Sequence, residues 1–202
     1  MFKRAGTPLL LAVMIGLGVW GDAAQAGPAF MHTGGRTTQP IGHYEFCQRE
    51  PGECRQKTPK QAPIELTRQL WATIIDINNA VNAAVTPRTD MEMWGKEEVW
   101  SYPTNIGDCE DYALEKRRRL MALGVPAGDL LMTVVRQRNG DGHAVLTIRT
   151  SHGDFILDNL EPRVLAWSDT DYTYLKRQSE RHSGAWVSID DSRSAIAVGS
   201  VR

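Results

Sequence analysis

Asn105-Ile-Gly-Asp-Cys-Glu-Asp-Tyr-Ala113 decides how this chain is read, because it joins a helix start to a lone cysteine. Asp108 has the side chain of an N-cap, and a helix is expected over 109–123, stopped by Gly124 and Pro126. After that stop the period changes from helix to strand. Residues 130–138 are rich in β-formers, Asn139-Gly-Asp-Gly142 is a hairpin turn, and 143–150 alternate cleanly. Ser151-His-Gly153 turns the chain into 154–160, and 172–178 and 185–189 are further candidate strands. Upstream, Ile64, Leu66, Leu70, Trp71, Ile74, Ile75, Ile77, Ala80, Val81 and Ala84 recur near period 3.6 and predict a helix from Ile64 that Pro87 closes. Residues 86–100 read as irregular. Helices first and an antiparallel meander afterwards is the α+β pattern, with N-terminal helices packed on an antiparallel sheet.

The chain begins with a stretch that reads as a secretory signal peptide over 1–26. Lys3 and Arg4 precede an apolar run from Leu9 to Trp20, and Ala24-Gln25-Ala26 is a small-x-small cleavage pattern. The apolar run is short for a bilayer span of roughly 20 residues, and no later segment is long and apolar enough to cross. Cleavage leaves 176 of the 202 residues, enough for one domain with its own core, and takes the formal charge from −1 to −2 as Lys3, Arg4 and Asp22 leave. A near-neutral chain offers no electrostatic case for nucleic acid, and Lys116-Arg-Arg-Arg119 reads as a solvated helix face. Within the mature chain, 27–43 is expected as an extended lead-in, 44–189 as the domain proper, and 190–202 as a disordered tail. In an oxidising compartment Cys47 and Cys54, on either side of Glu50-Pro51-Gly52, are placed to bridge and leave Cys109 free; the alternative is two reduced, buried thiols.

A cysteine at a helix start, a histidine at the mouth of a hairpin and an aspartate on the next strand supply a thiol nucleophile, its base and the base's orienter: Cys109, His143 and Asp158. The helix N-terminus favours an anion and offers free N–H groups to a developing oxyanion. The midpoint between His143 and Asp158 falls at the turn near Thr150, so most registers place the two on one face of neighbouring strands, and a one-residue slip separates them. The other histidines fit less well: His152 sits in the turn, His32 and His43 in the lead-in and His182 in a polar connector. Against a simple thiolate stand Asp108, Glu110 and Asp111, whose charge raises the thiol pKa unless they cap the helix or a cation offsets them. Their hard oxygens suit Ca²⁺.

Gly107-Asp-Cys-Glu-Asp-Tyr-Ala113, Gly142-His-Ala144 and Leu157-Asp-Asn159 resemble the bacterial transglutaminase-like cysteine proteinases, in particular their periplasmic, adhesin-processing type. The resemblance extends to Phe46-Cys47, Pro51-Gly-Glu-Cys54, Trp100 with Pro103, Tyr172, Arg177-Gln-Ser179 and Trp186. It implies a papain-like, transglutaminase-type fold with Cys109, His143 and Asp158 as the catalytic triad. It also implies Ca²⁺ on Asp108 and Glu110, with Asp111 as a third ligand, a large surface adhesin as protein substrate, and an inner-membrane receptor, responsive to cyclic di-GMP, as regulator. The Trp100 indole, which can only donate, is expected as a second oxyanion donor, or else as a packed core residue. Two other functions fit the same residues: a transglutaminase or amidase using the triad, and a non-catalytic calcium-dependent binding module with an inert Cys109.

Overall fold

The computed structural model describes residues 29–191, so the expected signal peptide and most of the expected tail lie outside the described residues. In chain order the elements are β1 (Thr33–Thr37), α1 (Ile41–Arg49), α2 (Pro51–Cys54), α3 (Arg68–Ala84), β2 (Thr86–Pro87), α4 (Asp90–Trp94), β3 (Ile106–Gly107) and α5 (Cys109–Ala122), followed by β4 (Leu130–Arg136), β5 (Gly142–Thr150), β6 (Gly153–Leu157), β7 (Leu165–Ala166), β8 (Thr173–Ser179) and β9 (His182–Ile189).

The helix expected from Ile64 starts later. Thr67 caps α3 with its hydroxyl, which accepts from the Leu70 N–H at 3.0 Å, while Ile64 forms a bridge with Thr150 on the sheet. The apolar stripe continued back past the cap because Ile64 and Leu66 pack on the same core from extended backbone. The lead-in also holds more than extended chain: β1 joins the sheet beside β9, and α1 begins at Ile41. Residues 86–100 contain the short helix α4, opened by a capping box between Thr89 and Glu92.

Seven strands form one sheet in the order β1-β9-β8-β4-β5-β6-β7. β4, β5 and β6 are the start of the expected meander, and the two-residue β7, which no pattern predicts, adds to its edge. The chain then returns, so that β8 pairs with the free edge of β4 and not with β7. Buried residues on one side of the sheet, among them Met132, Leu146, Ile148 and Leu157, pack with Ile74 of α3 and Leu114 and Leu120 of α5. Val135, Val145, Ile156, Trp167 and Tyr174 form the second apolar cluster. Cys47 and Cys54 form a disulfide, Cα to Cα 5.6 Å, tying α1 to α2. Among the described residues Cys109 is the free cysteine.

The basic run on α5 corrects the reading of a solvated face. Lys116 and Arg117 are buried, Arg117 reaches Glu53 of α2 at 2.8 Å, and Arg118 and Arg119 fork onto Glu115 at 2.7 Å each. α5 is therefore clamped through its polar residues as well as its leucines, and Cys109 is held at its first position.

Candidate active site

Gly107, Asp108 and Cys109 turn from β3 directly into α5. A side chain at Gly107 would bring its Cβ within 2.9 Å of Asp111 Cβ and Oδ2, so glycine lets Asp111 fold back against the turn. Asp111 Oδ1 accepts from the Ser101 N–H at 2.7 Å and from its hydroxyl at 3.3 Å, pinning the preceding loop. Asp108 has the extended backbone of an N-cap, yet its side chain makes no capping bond.

The β5–β6 hairpin closes on Thr150 opposite Gly153, the two-residue turn between them carrying His152, which is exposed. Gly153 has φ +126°, the left-handed region glycine tolerates. Leu146 lies opposite Leu157, and the same register continued by one residue sets Asp158 opposite Val145, two residues from His143 and on its face. His143 Nε2 and Asp158 Oδ1 are 2.8 Å apart, with both side chains almost fully buried. Nδ1 is left as the ring nitrogen available to a thiol. The Ala144 N–H, next in the chain, donates to Cys109 Sγ at 3.4 Å, which brings the helix start onto the mouth of the hairpin. All three expected triad residues thus converge.

Asp158 has further partners. The Leu160 N–H donates to Oδ1 at 3.0 Å, Tyr172 Oη–H donates to Oδ2 at 2.5 Å, and Asn82 of α3 donates to the Asp158 carbonyl at 2.8 Å. The Tyr172 ring also lies 5.5 Å from the His143 ring, centroid to centroid. Burial raises the Asp158 carboxyl pKa, but the His143 bond and charge, with Leu160 and Tyr172, outweigh it and leave the group below its ordinary range.

The acidic residues divide. Asp90, Asp108 and Glu110 bring carboxylate oxygens within 4.8 Å of one another. Asp111 stands outside that cluster, engaged by Ser101, and Asp90, at the first position of α4, takes the place that sequence reading gave it. Nothing local links residue 90 to residue 108; Asp90 reads as an ordinary acid in a helix first turn. Burial, with charge repulsion added, pushes the Asp108 and Glu110 carboxyls up as a coupled pair. Burial raises Asp111 to about 7. Oδ1 of Asp108 and Oδ1 of Asp90 are buried with no hydrogen-bond partner among the described residues. Three crowded carboxylates with orphaned oxygens fit a hard cation with oxygen ligands.

The same crowding acts on the thiol. Cys109 Sγ–H donates to Glu110 Oε2 at 3.1 Å. Burial first and Glu110 second push the Cys109 pKa well above the ordinary thiol value, outweighing the Ala144 N–H. The helix-terminus effect alone does not make a thiolate here.

Two cavities meet at the pair. One of about 510 Å³ is lined by Ile41, Trp100, Cys109, His143, Ala144 and Lys176, among others. The other, about 300 Å³, runs from Cys109 and His143 past Arg88, Glu92 and Leu160. Trp100 borders the first, but its indole N–H donates to Glu98 Oε2 at 3.2 Å and its ring packs edge-on to His43 and Trp186. That arrangement favours the packed-core alternative for Trp100.

Residues 33–194 match the bacterial transglutaminase-like cysteine proteinase family, BTLCP. The chain belongs to that family. It is a cysteine protease with the family's mixed fold of helices on an antiparallel sheet. Among solved structures, calcium-bound LapG of Legionella pneumophila is 26% identical, with a TM-score of 0.50 over 58% of this chain and 68% of that one. A second structure of Legionella pneumophila LapG is 28% identical, with a TM-score of 0.50 over 62% of this chain and 73% of the other. No curated protein sequence matches. No helix among the described residues is long and apolar enough to cross a membrane.

Proposed function

We propose that this family member is an exported, calcium-dependent endopeptidase in which Cys109 is the nucleophile, His143 the base and Asp158 its orienter. The observation that carries the reading is the buried 2.8 Å His143–Asp158 contact beside a free cysteine that accepts from the Ala144 N–H at 3.4 Å. His143 Nδ1 takes the proton of Cys109, and the sulfur forms a bond to the scissile carbonyl carbon, whose electron pair moves onto oxygen. The Cys109 N–H, free at the helix start, donates to that oxyanion. As the pair returns, the C–N bond breaks and the leaving amine takes the proton from His143. Water, deprotonated by the same nitrogen, then hydrolyses the thioester and restores the thiol. Asp158 keeps the ring in the tautomer that exposes Nδ1 throughout.

Asp90, Asp108 and Glu110 are the side chains that would hold Ca²⁺. Bound there, the ion supplies positive charge that offsets the carboxylates raising the thiol pKa. The calcium-bound LapG structure supports this reading, as do the two orphaned oxygens.

The two cavities meeting at Cys109 and His143 suit an extended polypeptide entering from one side and leaving on the other. The substrate is a large surface adhesin, processed in the periplasm after residues 1–26 are removed, with a catalytic domain that starts at β1, earlier than the expected residue 44, and an inner-membrane receptor as regulator. Comparing released and retained surface proteins from cells carrying wild type or Cys109→Ala tests this. A cleavage product lost in the variant and restored by wild type is expected; identical profiles would refute the assignment.

A further inference from the structure

Three neighbouring strands supply one wall of the larger cavity at Cys109. Val134 of β4 pairs with Ala144 of β5 on one side and with Lys176 of β8 on the other, and all three residues line the cavity. Residues directly opposite one another share a face of the sheet, so their side chains stand in a row. The row begins at the site, because the Ala144 N–H donates to Cys109 Sγ at 3.4 Å. It passes a small and then a branched apolar residue and ends on an ammonium. Two strand spacings put the Lys176 backbone roughly 10 Å from that of Ala144. An extended peptide covers such a distance in about three residues.

Lys176 is half-buried, and its Nζ donates to the Thr38 carbonyl at 2.9 Å, which aims the head and leaves further N–H donors for a ligand. No carboxylate among the described residues pairs with it. The two acids on the same cavity are engaged elsewhere: Glu98 accepts from the Trp100 indole at 3.2 Å and Glu110 from the Cys109 thiol at 3.1 Å. In the second cavity the cation is already matched, since Arg88 faces Glu92 at 3.3 Å. We propose that Lys176 is a specificity-determining residue, forming a subsite for an Asp or Glu side chain of the substrate about three residues from the bond that Cys109 attacks. The inference rests on the endopeptidase reading and deepens it by naming one feature of the peptide. An ammonium that is still partly hydrated meets a carboxylate without a large desolvation cost, so this subsite selects by charge, and salt weakens the selection.

The probe is a synthetic peptide library, randomised at every position and incubated with the full protein in calcium chloride, with cut sites read by mass spectrometry. Wild-type cuts should concentrate Asp and Glu at one position near the third residue from the cleaved bond. Lys176→Arg should keep that preference, and Lys176→Glu should lose it and select Lys or Arg there instead. For one cleaved peptide, replacing the acid by its amide should lower kcat/KM roughly fivefold in low salt, with a smaller gap in high salt. Should Lys176→Glu not fold, Lys176→Gln serves, with the acidic preference lost and no basic one gained. A role confined to holding the Thr38 carbonyl would lower all cuts alike without changing their sequences. Cuts without an acidic preference, or a preference that survives unchanged in the variants, overturn the subsite and leave the peptidase standing. A library left as intact by wild type as by Cys109→Ala overturns the endopeptidase reading and the subsite with it.

Discussion

At the scale of single residues, the triad members should fail in different degrees. Cys109→Ala removes the nucleophile and should leave no measurable proteolysis in a folded protein. His143→Ala should be more damaging than Asp158→Ala, because the first removes the group that moves the proton and the second the group that aims it. Equal losses in a cleavage assay would argue against those separate roles. Tyr172→Phe deletes the donor to Asp158 Oδ2, seen at 2.5 Å. It leaves a buried carboxylate oxygen unpaired, so stability should fall by about 1–3 kcal/mol; urea titration of wild type and variant measures it. Cys109 and His143 are legible because each stands at an element boundary that local patterns mark, and Asp158 because it falls on the strand that follows the hairpin turn. Tyr172 enters only through the family resemblance, with no local mark of its role, and Asp90 carries no mark at all. Each reaches the site across the fold, and an isolated tyrosine or a first-turn acid looks the same whether or not it points inward.

At the scale of elements, the hairpin β5–β6 was legible because its alternation and its turn agree, which fixes the register and with it the face shared by His143 and Asp158. Short helices were not. α4 has five residues and α1 nine, too few turns for a periodic signal. The apolar stripe sets the start of α3 too early because a buried extended segment and a helix face carry the same apolar residues. The burial of Lys116 escapes the sequence for a related reason: a run of four basic residues has the composition of a solvated face, and only packing reveals which of them turn inward. α4 matters beyond its length, since its first residue is Asp90. Thr89→Ala should remove the capping box and cost about 1 kcal/mol of local stability. Calcium affinity, read by isothermal titration calorimetry, should weaken with it. Unchanged affinity would mean that α4 contributes nothing to the acidic cluster.

At the scale of the whole molecule, the buried acids set a stability that depends on pH. Asp108, Glu110 and Asp111 have pKa values raised by folding, so the folded state holds protons the unfolded state releases. Their contribution is complete below the ordinary carboxyl range, roughly pH 4, and is lost as pH rises through the folded values, about 7 for Asp111. Asp158, lowered by folding, has the opposite sign, and its contribution disappears only as pH falls below the carboxyl range. In EGTA the thermal midpoint should therefore decline as pH is raised from mildly acidic to neutral. Added calcium should flatten that decline and restore proteolysis together. A midpoint in EGTA that rises over the same interval would mean the carboxylates are not crowded as described. The return of β8 to the edge of β4 was not legible, because sheet order beyond a meander is decided by which edge lies free when the strand arrives, and no residue pattern in 172–178 records that.

The hydrogen bond from Cys109 Sγ to Glu110 has a consequence for durability. Peroxide attacks thiolates far faster than thiols, and the cysteine held in this arrangement is a thiol. Without a cation on the acidic cluster the protein should therefore resist peroxide, through the same contact that restrains its chemistry. Once that contact is released the shield goes with it, so the enzyme should age fastest while it is working.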